Sequence, residues 1–230
     1  MKKLLTVLVA ASISVAASAQ VYVQGGLNLA NITKSNNGET QSNNVLATFN
    51  AGLMGRFGIS DIFDLEAGAL FTGRGAKAET DFTGGTYVKT TFNPYYIEVP
   101  VNAVIKFPLG GDPKDKDRPN LFIFAGPYAA IGVAGKSKTT SNIPGYTESS
   151  SNIKFSHEDP FTSEQDDAAY DKLKQFDFGL NFGGGLDFGP ILLKANYGLG
   201  LTKISSTESD NDANDKNKYR TFSISVGVKL

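Results

Sequence analysis

Residues 175–230 contain three runs in which apolar and polar residues alternate. Phe176, Phe178, Leu180, Phe182, Leu186 and Phe188 share one parity, interrupted only by Gly184, and Asp177, Gly179, Asn181, Gly183, Gly185 and Asp187 lie on the other. After Gly189-Pro190 the division resumes, with Ile191, Leu193, Ala195, Tyr197, Leu199 and Leu201 against Lys194, Asn196, Gly198, Gly200 and Thr202. The chain closes with Phe222, Ile224, Val226, Val228 and Leu230 against Thr221, Ser223, Ser225, Gly227 and Lys229. A period of two is the period of an extended strand, whose successive side chains point to opposite faces.

Alternation alone does not say which face is outside, because a soluble barrel turns its apolar face inward and a membrane barrel turns it to lipid. The polar set argues for the second arrangement. Gly, Ser, Asn and Thr suit a narrow, crowded lumen better than a surface in bulk water. The N-terminus points the same way. Lys2-Lys3, an apolar core over residues 4–11 and the small residues Ala17-Ser18-Ala19 have the layout of a secretory signal peptide, so residues 1–19 are expected to be removed. The expected domain plan is a signal peptide over 1–19 and one outer-membrane β-barrel domain over 20–230. No later stretch supplies the ~20 apolar residues that a membrane-spanning helix needs.

Without Lys2 and Lys3, 20 basic residues remain against 23 acidic ones, a net charge of −3 that gives no electrostatic basis for nucleic-acid binding. The absence of Cys removes disulfides and thiolate chemistry, and with no Trp an interfacial belt must use Tyr and Phe.

A template of period two predicts eight strands: 21–32, 45–58, 63–75, 92–107, 120–135 and the three C-terminal runs. Pro100 inside the fourth predicts a bulge there, since proline cannot donate to a ladder. The fifth is apolar on both parities and its faces stay unassigned. Residues 136–174 read as one long polar loop, replaceable over 141–171 without loss of barrel folding. Thr162 and Gln165 have capping-box spacing for a short helix that continues through Leu173. Connections after the odd-numbered strands are long and the others short, the asymmetry of outer-membrane barrels. The expected fold is therefore all-β, an eight-stranded antiparallel up-and-down transmembrane barrel, whose lumen at this strand number is filled by side chains.

Short segments spread along the chain carry a family resemblance: Gly26-Leu27-Asn28-Leu29-Ala30-Asn31, Tyr96-Ile97-Glu98-Val99-Pro100, Phe124-Ala125-Gly126-Pro127-Tyr128, Asp177-Phe178-Gly179 and Tyr197-Gly198-Leu199-Gly200-Leu201. With these the chain resembles the Bacteroidetes-type outer-membrane β-barrel family of eight-stranded proteins, which includes PorT-like members associated with type IX secretion. The resemblance implies a membrane barrel rather than a reaction. The final Leu230 departs from the aromatic residue common at barrel C-termini.

Eight charged residues fall on the lumen parity: Arg56, Glu66, Arg74, Glu98, Lys106, Asp187, Lys194 and Lys229. They read as a salt-bridged plug, because unpaired charges in a narrow lumen are strongly destabilising. A proton or ligand path lined by Glu98 is the other reading. Catalytic signals are sparse. His157 is the single histidine, and with Glu158, Asp159 and Ser149-Ser150-Ser151 it allows a triad only on paper. Asp210, Asp212 and Asn214 imitate the start of a calcium loop, but Asp215 and Thr221 stand where that loop needs Gly and Glu.

The expected function is that of a non-enzymatic, monomeric barrel without cofactor or metal. It acts through its external loops in surface recognition or in association with an envelope or secretion complex, with Tyr146, Phe155, Phe161 and Tyr170 as contact candidates. Outer-membrane lipid and lipopolysaccharide are its expected surroundings. A lipid-modifying enzyme at the rim and a narrow porin-like channel are the alternatives.

Overall fold

The computed structural model describes residues 19–36, 39–42, 44–110, 118–156, 172–202, 204 and 217–230. In chain order the strands are β1 (Ala19–Asn36), β2 (Glu39–Ser42), β3 (Leu46–Gly58), β4 (Phe63–Gly73), β5 (Ala76–Phe82), β6 (Thr86–Pro108) and β7 (Asn120–Ser141). They continue as β8 (Ser149–Asn152), β9 (Lys154–Ser156), β10 (Lys172–Lys174), β11 (Phe176–Asp187), β12 (Ile191–Gly200) and β13 (Lys218–Lys229).

Eight of these close a ring. Each of β1, β3, β4, β6, β7, β11, β12 and β13 pairs antiparallel with the next in that series, and β13 returns to β1 from Tyr22↔Lys229 to Thr33↔Lys218. A closed ring leaves the membrane-spanning part without a free sheet edge, the condition for strands to cross a bilayer. Among the described residues no helix is long and apolar enough to cross a membrane.

The faces divide as the alternation requires. Leu53, Phe178 and Ile224 are more than half exposed, at 54%, 51% and 58%, whereas Glu66 and Asn28 are at 0%. A water-soluble barrel would show the reverse, so the apolar face is the one that meets lipid. The fifth ring strand, β7, also resolves: Phe122, Phe124 and Tyr128 turn into the lumen while Leu121 and Ile123 turn out.

Two tight turns lie at the same end of the ring. Between β3 and β4, the amides of Ile59 and Ser60 both donate to Phe63 O at 2.9 Å. Between β11 and β12, Phe188 N donates to Ile191 O at 2.9 Å, and Gly189 takes a φ of +88° that the following Pro190 could not. Outer-membrane barrels keep short turns on the periplasmic side and long connections outside, which orients the molecule.

At the outer end the strands outrun the ring. β6 and β7 have 23 and 22 residues, against the 9–11 or so that cross a bilayer at a tilt. Their surplus pairs with β5 and β8 in an external four-stranded sheet of order β5-β6-β7-β8. Residues 136–141 and 149–152, within the segment expected as a polar loop, are therefore sheet. The bulge expected at Pro100 lies elsewhere: the register between β6 and β7 shifts at Tyr95/Tyr96. Pro100 is fully buried and the β4 ladder keeps one register across it, from Ala67↔Val101 to Leu70↔Glu98. The irregularity falls where β6 leaves the ring for the external sheet.

Candidate functional site

Strand parity delivers a set of charged side chains to the lumen, and register decides which of them meet. Arg56 on β3 is the cross-strand partner of Glu66 on β4, and their side chains pair at 3.0 Å. Glu66 also accepts from Tyr22 Oη at 2.7 Å, Lys194 Nζ at 2.6 Å and Asn102 Nδ2 at 3.2 Å. Arg56 reaches on to Asp187 at 3.4 Å, and Lys229 holds the other oxygen of Asp187 at 3.0 Å. Lys106 pairs with Asp64 at 2.7 Å. Rings fill the remaining space, the Arg56 guanidinium lying 4.3 Å from the Phe122 centroid and the Lys194 ammonium 4.7 Å from that of Phe124.

A second cluster lies toward the outer end. Arg74, just beyond β4, divides its guanidinium between Glu98 and Asp177 and donates to Tyr128 Oη at 3.1 Å. Tyr128 Oη donates to Asp177 at 3.0 Å, Thr202 also donates to Asp177, and Asn181 Nδ2 donates to the other oxygen of Glu98 at 2.8 Å. Between the clusters runs an amide ladder in which Asn50 Nδ2 donates to Asn28 Oδ1 at 2.6 Å and Asn28 Nδ2 to Thr72 Oγ1 at 2.9 Å.

The network balances. Arg56, Arg74, Lys106, Lys194 and Lys229 face Asp64, Glu66, Glu98, Asp177 and Asp187, and every one has an opposite charge within 3.4 Å. Buried charges are tolerated only when paired and further hydrogen-bonded, the condition met around Glu66, Glu98, Asp177 and Asp187. Among the described residues a cavity of about 40 Å³ lies beside Arg74, Glu98 and Lys194, room for about three waters. Glu98 lines it with both oxygens engaged.

All eight charged residues expected in the lumen are there. Asp64 and Asp177, which complete the balance, stand on the same parity and were not among them. Nor were Tyr22, Tyr96, Tyr128 and Tyr219, whose mixed character hid them in the apolar count.

The outer mouth is capped. Ile153, Leu173 and Ile204 pack with Phe155 and Phe92 on Tyr96, Tyr219, Ile32 and Ala76. Phe155 meets Tyr96 edge-on at 5.4 Å, and Tyr96 meets Tyr219 at 5.7 Å with their hydroxyls 3.2 Å apart. Strands β9 and β10 pair in parallel across this lid. Gly132 N donates to Gln175 O at 2.7 Å, and a Cβ on Gly132 would fall 2.1 Å from the Phe155 ring.

This changes two expectations. Phe155 is not displayed for a partner, because its ring is half-buried in the lid. Leu173 sits in a strand rather than at the end of a helix, held by the apolar mouth. Tyr146 is 40% exposed in the turn beyond β7 and is displayed. Phe161, Tyr170, His157, the Thr162–Gln165 spacing, the Asp210–Asn214 spacing and residues 1–18 lie outside the described residues. Among the described residues no three carboxylate or imidazole groups converge so as to hold a metal ion.

One family, described as outer membrane protein beta-barrel domain, matches residues 11–206. No curated protein matches the chain. Among solved structures, Ail, the attachment invasion locus protein of Yersinia pestis, in complex with the heparin analogue sucrose octasulfate, is 14% identical with a TM-score of 0.40, over 93% of this chain and 99% of its own. Neisserial surface protein A is 15% identical with a TM-score of 0.41, over 92% and 99%.

Proposed function

The chain belongs to the outer membrane protein beta-barrel domain family and resides in the outer membrane, and from that premise we propose that it is a non-enzymatic, monomeric barrel that works by what it displays outside the cell. The observation that carries this reading is the closed lumen. A balanced charge network and an apolar lid occupy the one route through the ring, so the external sheet and its connections are what remains to meet a partner. In this reading residues 1–19 are the export signal. The partner is an envelope protein, of the secretion-complex kind that the PorT-like resemblance implies.

The lid refines where to test. Residues 157–171 connect the two lid strands, and replacing them alone by a Gly-Ser linker keeps Ile153, Phe155 and Leu173 in place. Cross-linked envelopes should yield the same folded barrel, with its heat-sensitive gel mobility, from the intact and shortened chains. Only the intact chain should carry its cross-linked protein partner. Retention of that partner by the shortened chain would move the contact to the external sheet or the periplasmic side.

A further inference from the structure

The external sheet has two unlike faces, and cross-strand contacts assign them. The hydroxyls of Thr90 and Thr139 meet at 3.2 Å on the face whose Phe92 and Ala76 pack into the lid. Lys89 and Glu79 pair at 3.3 Å on the other, outward face, which continues the lipid-facing side of the barrel. On that outward face Lys77 and Lys138 share a rung on either side of Thr91, and Lys136 stands one rung lower, opposite Asn93.

Directly below is an aromatic platform. Asn93 Nδ2 donates to Tyr95 Oη at 2.9 Å. Tyr95 stacks on Phe71 at 5.2 Å, and Phe49 contacts both, at 5.8 and 5.9 Å. At the rise of a strand, Lys136 is about 7 Å and Lys77 and Lys138 about 13 Å beyond Tyr95, with the latter two about 10 Å apart across two strand spacings. Aromatic rings mark the edge of the hydrocarbon layer in such barrels, so the three ammonium groups lie at headgroup depth.

These cations are poorly compensated. Among the described residues Lys77 and Lys136 have no ion-pair partner. Lys138 reaches Glu148 at 3.1 Å, but both side chains are more than half exposed, and such a pair contributes little. Glu79 is already taken by Lys89.

We propose that this face docks a phosphate-bearing lipid of the outer leaflet, with its acyl chains on Phe49, Phe71 and Tyr95 and its phosphates against Lys136, Lys77 and Lys138. The occupant is chosen by charge and by depth. An anionic headgroup complements the three lysines, and lipid is the neighbour that surrounds this face in the membrane. Thr91 lies between Lys77 and Lys138 as a hydrogen-bond partner for the sugar or phosphate oxygens. The site is independent of residues 157–171, so loss of the protein partner would not remove it.

The test uses the full folded barrel in phosphatidylcholine nanodiscs doped with diphosphorylated lipid A, with retained lipid counted by native mass spectrometry. Dephosphorylated lipid A and a deacylated, phosphorylated headgroup are the comparators. Phosphorylated lipid A should be retained, and K77Q/K136Q/K138Q should weaken retention by about fivefold per lysine, about a hundredfold together. Lys136→Gln alone, with gel mobility as the folding control, should show the first fivefold. Equal retention by the triple variant, or equal retention of the dephosphorylated lipid, overturns the proposal. Binding of the deacylated headgroup as tight as that of the lipid would show a site for soluble phosphosugars and overturn the choice of a lipid.

Discussion

Glu66 shows how much one residue can hold in a lumen of this width. Its two oxygens receive Arg56, Lys194, Tyr22 and Asn102, gathered from four strands. Glu66→Gln keeps the shape and removes the charge, leaving Lys194 buried without its counterion, so it should cost about 3 kcal/mol. Adding Lys194→Met removes the stranded ammonium, and the pair should cost less than the sum of the two single changes. Urea titrations of the vesicle-embedded barrel, read by gel mobility, would check both. Additive losses would mean that the two side chains do not share an energy. Gly183 poses the steric counterpart. A Cβ there would stand 2.1 Å from Ala195 O and 2.9 Å from the Phe124 ring, so Gly183→Val should cost about 1–3 kcal/mol by overpacking. A neutral result in the same titration would show that β11 can move away from its neighbours.

At the scale of strands, the parts that could be read from the sequence were those in which parity and polarity agree. β11, β12 and β13 carry large apolar residues at most of their outward positions, so their faces and the Gly189 turn followed from the residues alone. β7 did not, because its inward positions hold Phe122, Phe124 and Tyr128 beside outward Leu121 and Ile123. The reason lies on the neighbouring strand. A Cβ on Gly185, Gly183 or Gly179 would lie within 3.0 Å of the rings of Phe122, Phe124 and Tyr128, respectively. The glycines read as small lumen residues are the spaces into which those aromatics fit, a relation between strands that no single run reveals. Charges were legible as a set, while their pairing needed the ring: Arg56 meets Asp187 across 131 positions of sequence. The lid was not legible, since Ile153, Phe155 and Leu173 are isolated apolar residues in polar surroundings with no period to mark them. Face assignment is tested on β12. Leu193→Arg places a charge against lipid and should cost about 2–4 kcal/mol near the midplane. Asn196→Ser on the lumen side should be mild. If folding into lipid vesicles tolerated both equally, the outward face would be misassigned.

For the whole molecule the question is whether anything passes through. Two independent closures stand in series: the lid of Ile153, Phe155, Leu173 and Ile204, and beneath it the paired charges from Arg74 down to Asp187. The cavity between the clusters, about 40 Å³, is a pocket rather than a passage, and hydrated ions need a continuous polar path with sites they can leave. The intact barrel should therefore give no large, steady conductance in planar bilayers. Opening the lid with Ile153→Ser and Phe155→Ser should not change this, because Arg74 remains bound to Glu98 and Asp177 below. Porin-sized steps in the intact protein would overturn the closed-lumen reading, and with it the inference that the external surface carries the function. Steps that appear only in the lid variant would place the seal in the lid alone and make Glu98 and its cavity part of a gated path.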